Sequence, residues 1–288
     1  MPLNTSNVGQ STDFIEHTAD ARWIMAYAAA LGDLNPAYMD TTQGTVCAHP
    51  VFPVCLEWPS ILRTRDLLGP EMSDAESARG VHAAHDLHIY RPITAGALLR
   101  TRATLVGVRK IAPGAGYTLR LDTFDLDENL ICRTYQFGIY RDVEVVGEPI
   151  ISEAIPSLPA DGPIVNEISV IPISAGAAHT YTECARIWNP IHTDSKVAQD
   201  AGLPDIILHG TATLALSVSE LVNHYVEGRL KRVQRLGGRF AGMVFMPSDL
   251  TLHTSEIQQS DDGLSTISFE IKRADGKLVI ESGFFSFL

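Results

Sequence analysis

The sequence predicts an α+β fold built from two copies of one unit. Three observations carry this reading: a long internal repeat, a helix-length apolar stretch in each half, and strand-like segments after each stretch.

Tyr27, Asn35, Pro36 and Asp40 recur as Tyr181, Asn189, Pro190 and Asp194, each 154 residues later. Arg91-Pro92-Ile93 stands 155 residues before Met246-Pro247-Ser248, and His49 stands 160 before His209. A near-constant offset across unlike residues marks a duplicated unit, not a short-period solenoid. The units are set at residues 1–142 and 164–288, the second carrying the Asn-Pro-Ile-His segment. The connector at 143–163 holds Pro149, Pro156, Pro159 and Pro163 and reads as a stiff segment crossing the surface.

Each unit repeats one order of elements. A helix is expected at 19–31, with a weaker counterpart in the second half. An irregular Asn-Pro segment follows, because Pro disfavours helix at the residue before it. An apolar helix is then expected at 54–68 in the first unit and 211–226 in the second. The second of these is apolar nearly all round, so it calls for sheet around it rather than a place on the surface. Strands are expected at 83–90, 98–108, 117–125 and 130–141, then at 238–245, 250–257, 265–272 and 278–288, on alternation and β-branched or aromatic content. Turns are read at 260–263 and 274–276. A long helix followed by an antiparallel meander is a sheet curled round its helix. Two such units joined by their sheets hide their edge strands. This is the double hot-dog architecture, two helix-wrapped antiparallel sheets joined into one.

Composition narrows the function. Apolar residues make up 45% and charged residues 19%, which excludes a disordered chain. No apolar run is long enough for a spanning helix, and the start, MPLNTSNVGQSTD, lacks a basic region followed by an apolar core. A cytoplasmic protein is expected. The net charge of 22 − 34 = −12 disfavours nucleic acid and anionic membrane as partners. Cys47, Cys55, Cys132 and Cys184 form no CxxC pair, so no zinc or redox site is expected. His82, His85 and His88 recur every third residue on a strand, where alternation puts His82 and His88 on one face and His85 on the other.

The segments Trp188-Asn189-Pro190-Ile191-His192-Thr193-Asp194, Ala201-Gly202-Leu203-Pro204 and Ile207-Leu208-His209-Gly210 resemble the MaoC-like family of (R)-specific enoyl-CoA hydratases and dehydratases. The first half resembles a diverged copy. The resemblance implies hydration of a 2-enoyl-CoA or dehydration of a 3-hydroxyacyl-CoA, a hydro-lyase of fatty acid metabolism. It implies an acyl-CoA or acyl-carrier thioester as partner, with coenzyme A as part of the substrate and no separate cofactor or metal; a homodimer is compatible. His192 matches the family's catalytic His, Asn189 its positioning Asn, and Gly210, beside His209, the backbone donor to the thioester carbonyl. That donor suits the chemistry, because negative charge grows on the carbonyl oxygen and an N–H at a helix start offsets it.

The sequence departs from the family's Asp-x-Asn-Pro-x-His pattern in both halves. The acidic position of the second unit is Ile187, which would instead line the substrate site. The first unit has Asp33 and Asn35 but Tyr38 at the His position, and Pro50 where the second has Gly210, so its pocket reads as disabled. Glu57, on the first unit's apolar helix, and Glu183, four residues before Ile187, are the candidate replacements for the carboxylate. Asp194 reads as a helix cap. Double-bond isomerisation, thioester hydrolysis or a non-catalytic thioester-binding role are the alternative readings.

Overall fold

The computed structural model describes residues 2–68, 72–77, 79–159, 162–260 and 263–288. Among the described residues twelve strands form one continuous antiparallel sheet, ten of them in its main path: β1 (Ile15–Ala19), β2 (Gly80–Ile89), β3 (Ala97–Ile111), β4 (Gly114–Asp125), β5 (Leu130–Arg141), β6 (Ile164–Ile173), β7 (Val233–Phe240), β8 (Ser248–Ser255), β9 (Ser265–Arg273) and β10 (Leu278–Phe287). Their order across the sheet is β1-β3-β4-β5-β2-β7-β10-β9-β8-β6. The first five therefore belong to one half of the chain and the last five to the other. The halves meet where β2 pairs with β7, His85 standing opposite Gly238.

Of the helices α1 (Ala21–Ala30), α2 (Pro53–Arg63), α3 (Ala177–Ala185) and α4 (Gly210–Val226), α2 and α4 pack against the sheet and α1 packs against α3. Asp20 caps α1 by accepting the Trp23 N–H at 2.8 Å, a bond worth about 1 kcal/mol. In α4, Leu214, Val218, Leu221 and Val222 are fully buried, each contributing roughly 1.5–3 kcal/mol. That burial explains why the helix is apolar nearly all round. Trp23 of α1 donates its indole N–H to the Cys184 carbonyl of α3 at 3.0 Å. The hydroxyls of Tyr27 and Tyr181 meet at 3.3 Å. Residues 154 apart in sequence thus touch, as expected where two like units face each other across a local two-fold axis. One hydrophobic core runs through both units and includes Tyr27, Phe52, Leu56, Tyr181, Leu214 and Phe285.

Several elements differ from the sequence expectation. β1 and β6 were not anticipated. α2 stops at Arg63, where the Thr64 hydroxyl donates to the Ile61 carbonyl at 2.7 Å and closes the turn; a separate turn follows at Arg65–Leu68. β7 begins five residues earlier than read. The connector does not simply cross the surface: Val145–Val146 pairs with Leu3–Asn4, and Ile150–Ile151 pairs with β3. Residues 160 and 161 of that connector, and 261 and 262 of the turn at 260–263, lie outside the described residues. No helix among the described residues is long and apolar enough to cross a membrane.

Candidate active site

The segment after α3 is shaped by local sequence. Arg186 takes a left-handed conformation (φ 58°), which ends α3 and turns the chain. Asn189 then accepts the Ile191 N–H at 3.5 Å, and Pro190 opens a short 3₁₀ turn ending at His192. Asp194 caps the next helix through the Lys196 and Val197 N–H groups. The turn leaves Ile187 and His192 buried, Asn189 half-buried and Trp188 exposed.

His192 donates from Nδ1 to the Ile207 carbonyl at 2.8 Å. A carbonyl only accepts, so the proton sits on Nδ1 and Nε2 keeps its lone pair. Burial pushes the ring's pKa down to about 4, so the neutral base is the resting form at neutral pH. The ring stacks on His209, centroids 3.6 Å apart at 23°. His209 shares a hydrogen bond with the Thr182 hydroxyl at 3.3 Å and stands at the N-cap of α4, where it makes no side-chain capping bond. Gly210 follows as the first residue of α4, where backbone N–H groups have no partner within the helix. The lone pair of His192 and the amide of Gly210 are thus joined through one stacked ring.

The structure brings neither candidate glutamate to His192. Glu57 is 1% exposed and faces the sheet, where the Thr134 hydroxyl donates to it. Its carboxyl is raised to about 8, chiefly by burial, with the Asp122 charge adding to the rise. Glu183 is exposed. The sequence argument put it on one helical face with Ile187, but α3 ends at Ala185 and the Arg186 turn removes that shared face. Among the described residues, the influences on the His192 ring are burial and the Ile207 carbonyl, and no carboxylate.

The first unit's counterparts are spent differently. His49 accepts the Val51 N–H at Nδ1 and bonds the Ser219 hydroxyl through Nε2, so both its nitrogens are engaged. Asp33 accepts the Asn35 N–H, and its other oxygen is buried without a partner among the described residues. A cleft of about 630 Å³ opens beside it. Asp33, Glu220 and Glu227 line this cleft and no Lys or Arg does, so it repels the phosphates of a coenzyme A. Asp33→Asn is therefore expected to leave turnover of an acyl-CoA nearly unchanged in steady-state assays.

Sequence reasoning missed Phe240 and misplaced His82. A β-bulge between His82 and Ala84 breaks the alternation of β2. It brings His82 to the same side as His85, ring centroids 5.4 Å apart, while His88 turns to Asp86 on the other face. The ring of Phe240 packs edge-on to His82 at 4.8 Å. A Cβ placed on Gly210 would lie 3.0 Å from that same Phe240 ring. A bulge leaves no mark in a pattern of alternation, so only the three-residue His spacing hinted at this cluster.

The buried histidines set an acid limit on stability. Burial holds His49 at about 3, His85 at about 4 and His192 at about 4, and lowers His209 well below its ordinary value. A histidine with a lowered folded pKa adds stability above about pH 6.5 that is lost as pH falls toward the folded value. Glu57, raised to about 8, works oppositely: its stabilisation is full below its unfolded value of 4.5 and is lost as pH rises through about 8. Between those unfolded values, four histidines outweigh one glutamate. The urea midpoint should fall steadily as pH drops from about 6.5 to about 4.5. A flat or rising midpoint there would contradict the neutral, buried imidazoles.

Comparison with known proteins finds relatives for both halves of the chain. Residues 165–274 match the model of the MaoC like domain, and residues 6–129 match that of the FAS1-like, dehydratase domain region. The chain is 24% identical over 251 residues to the peroxisomal enoyl-CoA hydratase 2 of Arabidopsis thaliana, covering 80% of this chain and 79% of that one. It is also 24% identical over 179 residues to the peroxisomal multifunctional enzyme type 2 of Mus musculus, spanning 58% of this chain and only 23% of the mouse protein. The MaoC-like dehydratase of Phytophthora capsici shares the fold, with a TM-score of 0.80 at 16% identity over 97% of this chain and 96% of that one.

Proposed function

Because the chain belongs to the MaoC-like hydratases and dehydratases in their double hot-dog form, we propose that it adds water to a 2-enoyl thioester, or removes it from a 3-hydroxyacyl thioester, at the second unit. The observation that carries this is the pairing of a neutral His192, its Nε2 without a hydrogen bond among the described residues, with the start of α4, which has no side-chain cap. In the hydration direction, Nε2 takes a proton from water as the water oxygen bonds to C3. The C2–C3 π electrons move onto the thioester oxygen as an enolate. The Gly210 N–H stabilises that charge. The imidazolium then returns the proton to C2, so one imidazole serves both proton transfers. Asn189 holds the turn that aims the ring.

Among the described residues no carboxylate bonds to His192, which favours a second reading, double-bond isomerisation. That reaction needs one proton shuttle and no activated water, and a single imidazole supplies it. Incubation with a 2-enoyl-CoA followed by mass spectrometry separates the two. Hydration gives a product heavier by one water. Isomerisation leaves the mass unchanged and moves the double bond. Release of free thiol would point instead to hydrolysis, and no turnover with intact binding would leave a thioester-binding protein.

A further inference from the structure

His85 is a deeply buried polar side chain close to this site. It is 1% exposed, and neither ring nitrogen has a hydrogen-bond partner among the described residues. Buried polar atoms are normally paired, and a group left unpaired inside a fold costs stability unless something else pays for it. His85 sits on β2 at the junction of the two units, opposite Gly238 of β7. The bulge sets His82 beside it, Phe240 packs on His82, and Phe240 abuts Gly210. The series Gly210, Phe240, His82, His85 therefore runs inward from the amide of α4. Gly210, Phe240 and His82 each keep part of their surface exposed, and His85 lies beneath them. A neutral imidazole offers one donor and one acceptor. That pair complements a hydroxyl or an amide and does not match a plain alkyl chain.

Resting on the reading of the second unit as a thioester site, we propose that His85 recognises a neutral hydrogen-bonding group of the bound thioester, a hydroxyl or an amide lying inward of Phe240. Such a group has two sources: a hydroxyl on the acyl chain, or an amide of the pantetheine arm. His82 and Phe240 form the wall past which it reaches His85. The role is one of positioning, and it makes this pocket selective for a polar substrate over an apolar one.

Calorimetric titration of the full chain with three probes tests this: hexanoyl-CoA, its ω-hydroxy analogue, and the ethyl thioester of hexanoic acid. His85→Phe should weaken binding of one polar probe by about tenfold relative to its less polar counterpart, the loss of one hydrogen bond. If the hydroxyl is the source, the ω-hydroxy chain loses affinity against hexanoyl-CoA. If the amide is the source, hexanoyl-CoA loses affinity against the ethyl thioester. His85→Gln, which keeps a donor and an acceptor, should recover most of the loss. A uniform weakening of all three probes, no change, or a Gln variant that behaves like Phe overturns the proposal. Should the Phe variant fail to fold, the ring-nitrogen resonances of wild-type His85 decide: they must shift with the polar probe and not with its apolar partner. Binding without discrimination by His85 overturns this inference alone. If the wild-type chain binds none of the probes, the thioester reading fails and this inference falls with it.

Discussion

His192→Ala should reduce turnover by about 10²–10⁴-fold, the usual contribution of one positioned acid/base. The ring's only described hydrogen bond runs to the Ile207 carbonyl, so the folded protein should survive its removal and circular dichroism should be unchanged. Glu57→Gln and Glu183→Gln should leave kcat near wild type, because neither carboxylate reaches the imidazole. Each double variant with His192→Ala should be no slower than His192→Ala alone. A glutamate variant falling nearly as far as His192→Ala would restore the paired mechanism, in which two groups act as a unit. Near-full activity in a folded His192→Ala protein would place the chemistry elsewhere.

That result bears on how much of the molecule its sequence exposes. The duplication was legible because Tyr27 and Tyr181, Asn35 and Asn189, and Pro36 and Pro190 hold a constant offset, and the two tyrosines do meet. The apolar helices were legible because most of each is buried, which favours apolar residues along it. The start of β7 was not. The strand was expected only from residue 238, yet it starts at Val233 and runs through Gly237, where a Cβ would lie 2.0 Å from the His85 carbonyl oxygen. Glycine there permits the junction of the two halves rather than ending a strand. Of the candidate site, His192, Asn189, His209 and Gly210 are brought to one corner, and Ile187 is buried beside them. Glu57 and Glu183 failed because helical spacing assigns faces only while the helix lasts and says nothing of what each face meets. The environment of Glu57 is made by β5, distant in sequence, and the Arg186 turn takes Glu183 out of register with Ile187.

Gly210→Pro should separate the amide's chemistry from its packing. Proline is tolerated at the first residue of a helix, where its missing N–H breaks no intrahelical bond. His209, at φ −60° and ψ 138°, already has the extended backbone that the residue before a proline needs. Losing one preorganised oxyanion donor typically costs about 10²–10³-fold in kcat. Gly210→Ala is the control. It keeps the N–H but adds a Cβ 3.0 Å from the Phe240 ring, which is partly exposed and has room to yield. Ala should therefore raise KM more than it lowers kcat, whereas Pro should lower kcat with thermal stability close to wild type. Equal losses from Ala and Pro would mean that Gly210 serves only the close approach of α4 to β7. The enolate would then have to be stabilised by some other group, and the uncapped start of α4 would lose its place in the mechanism.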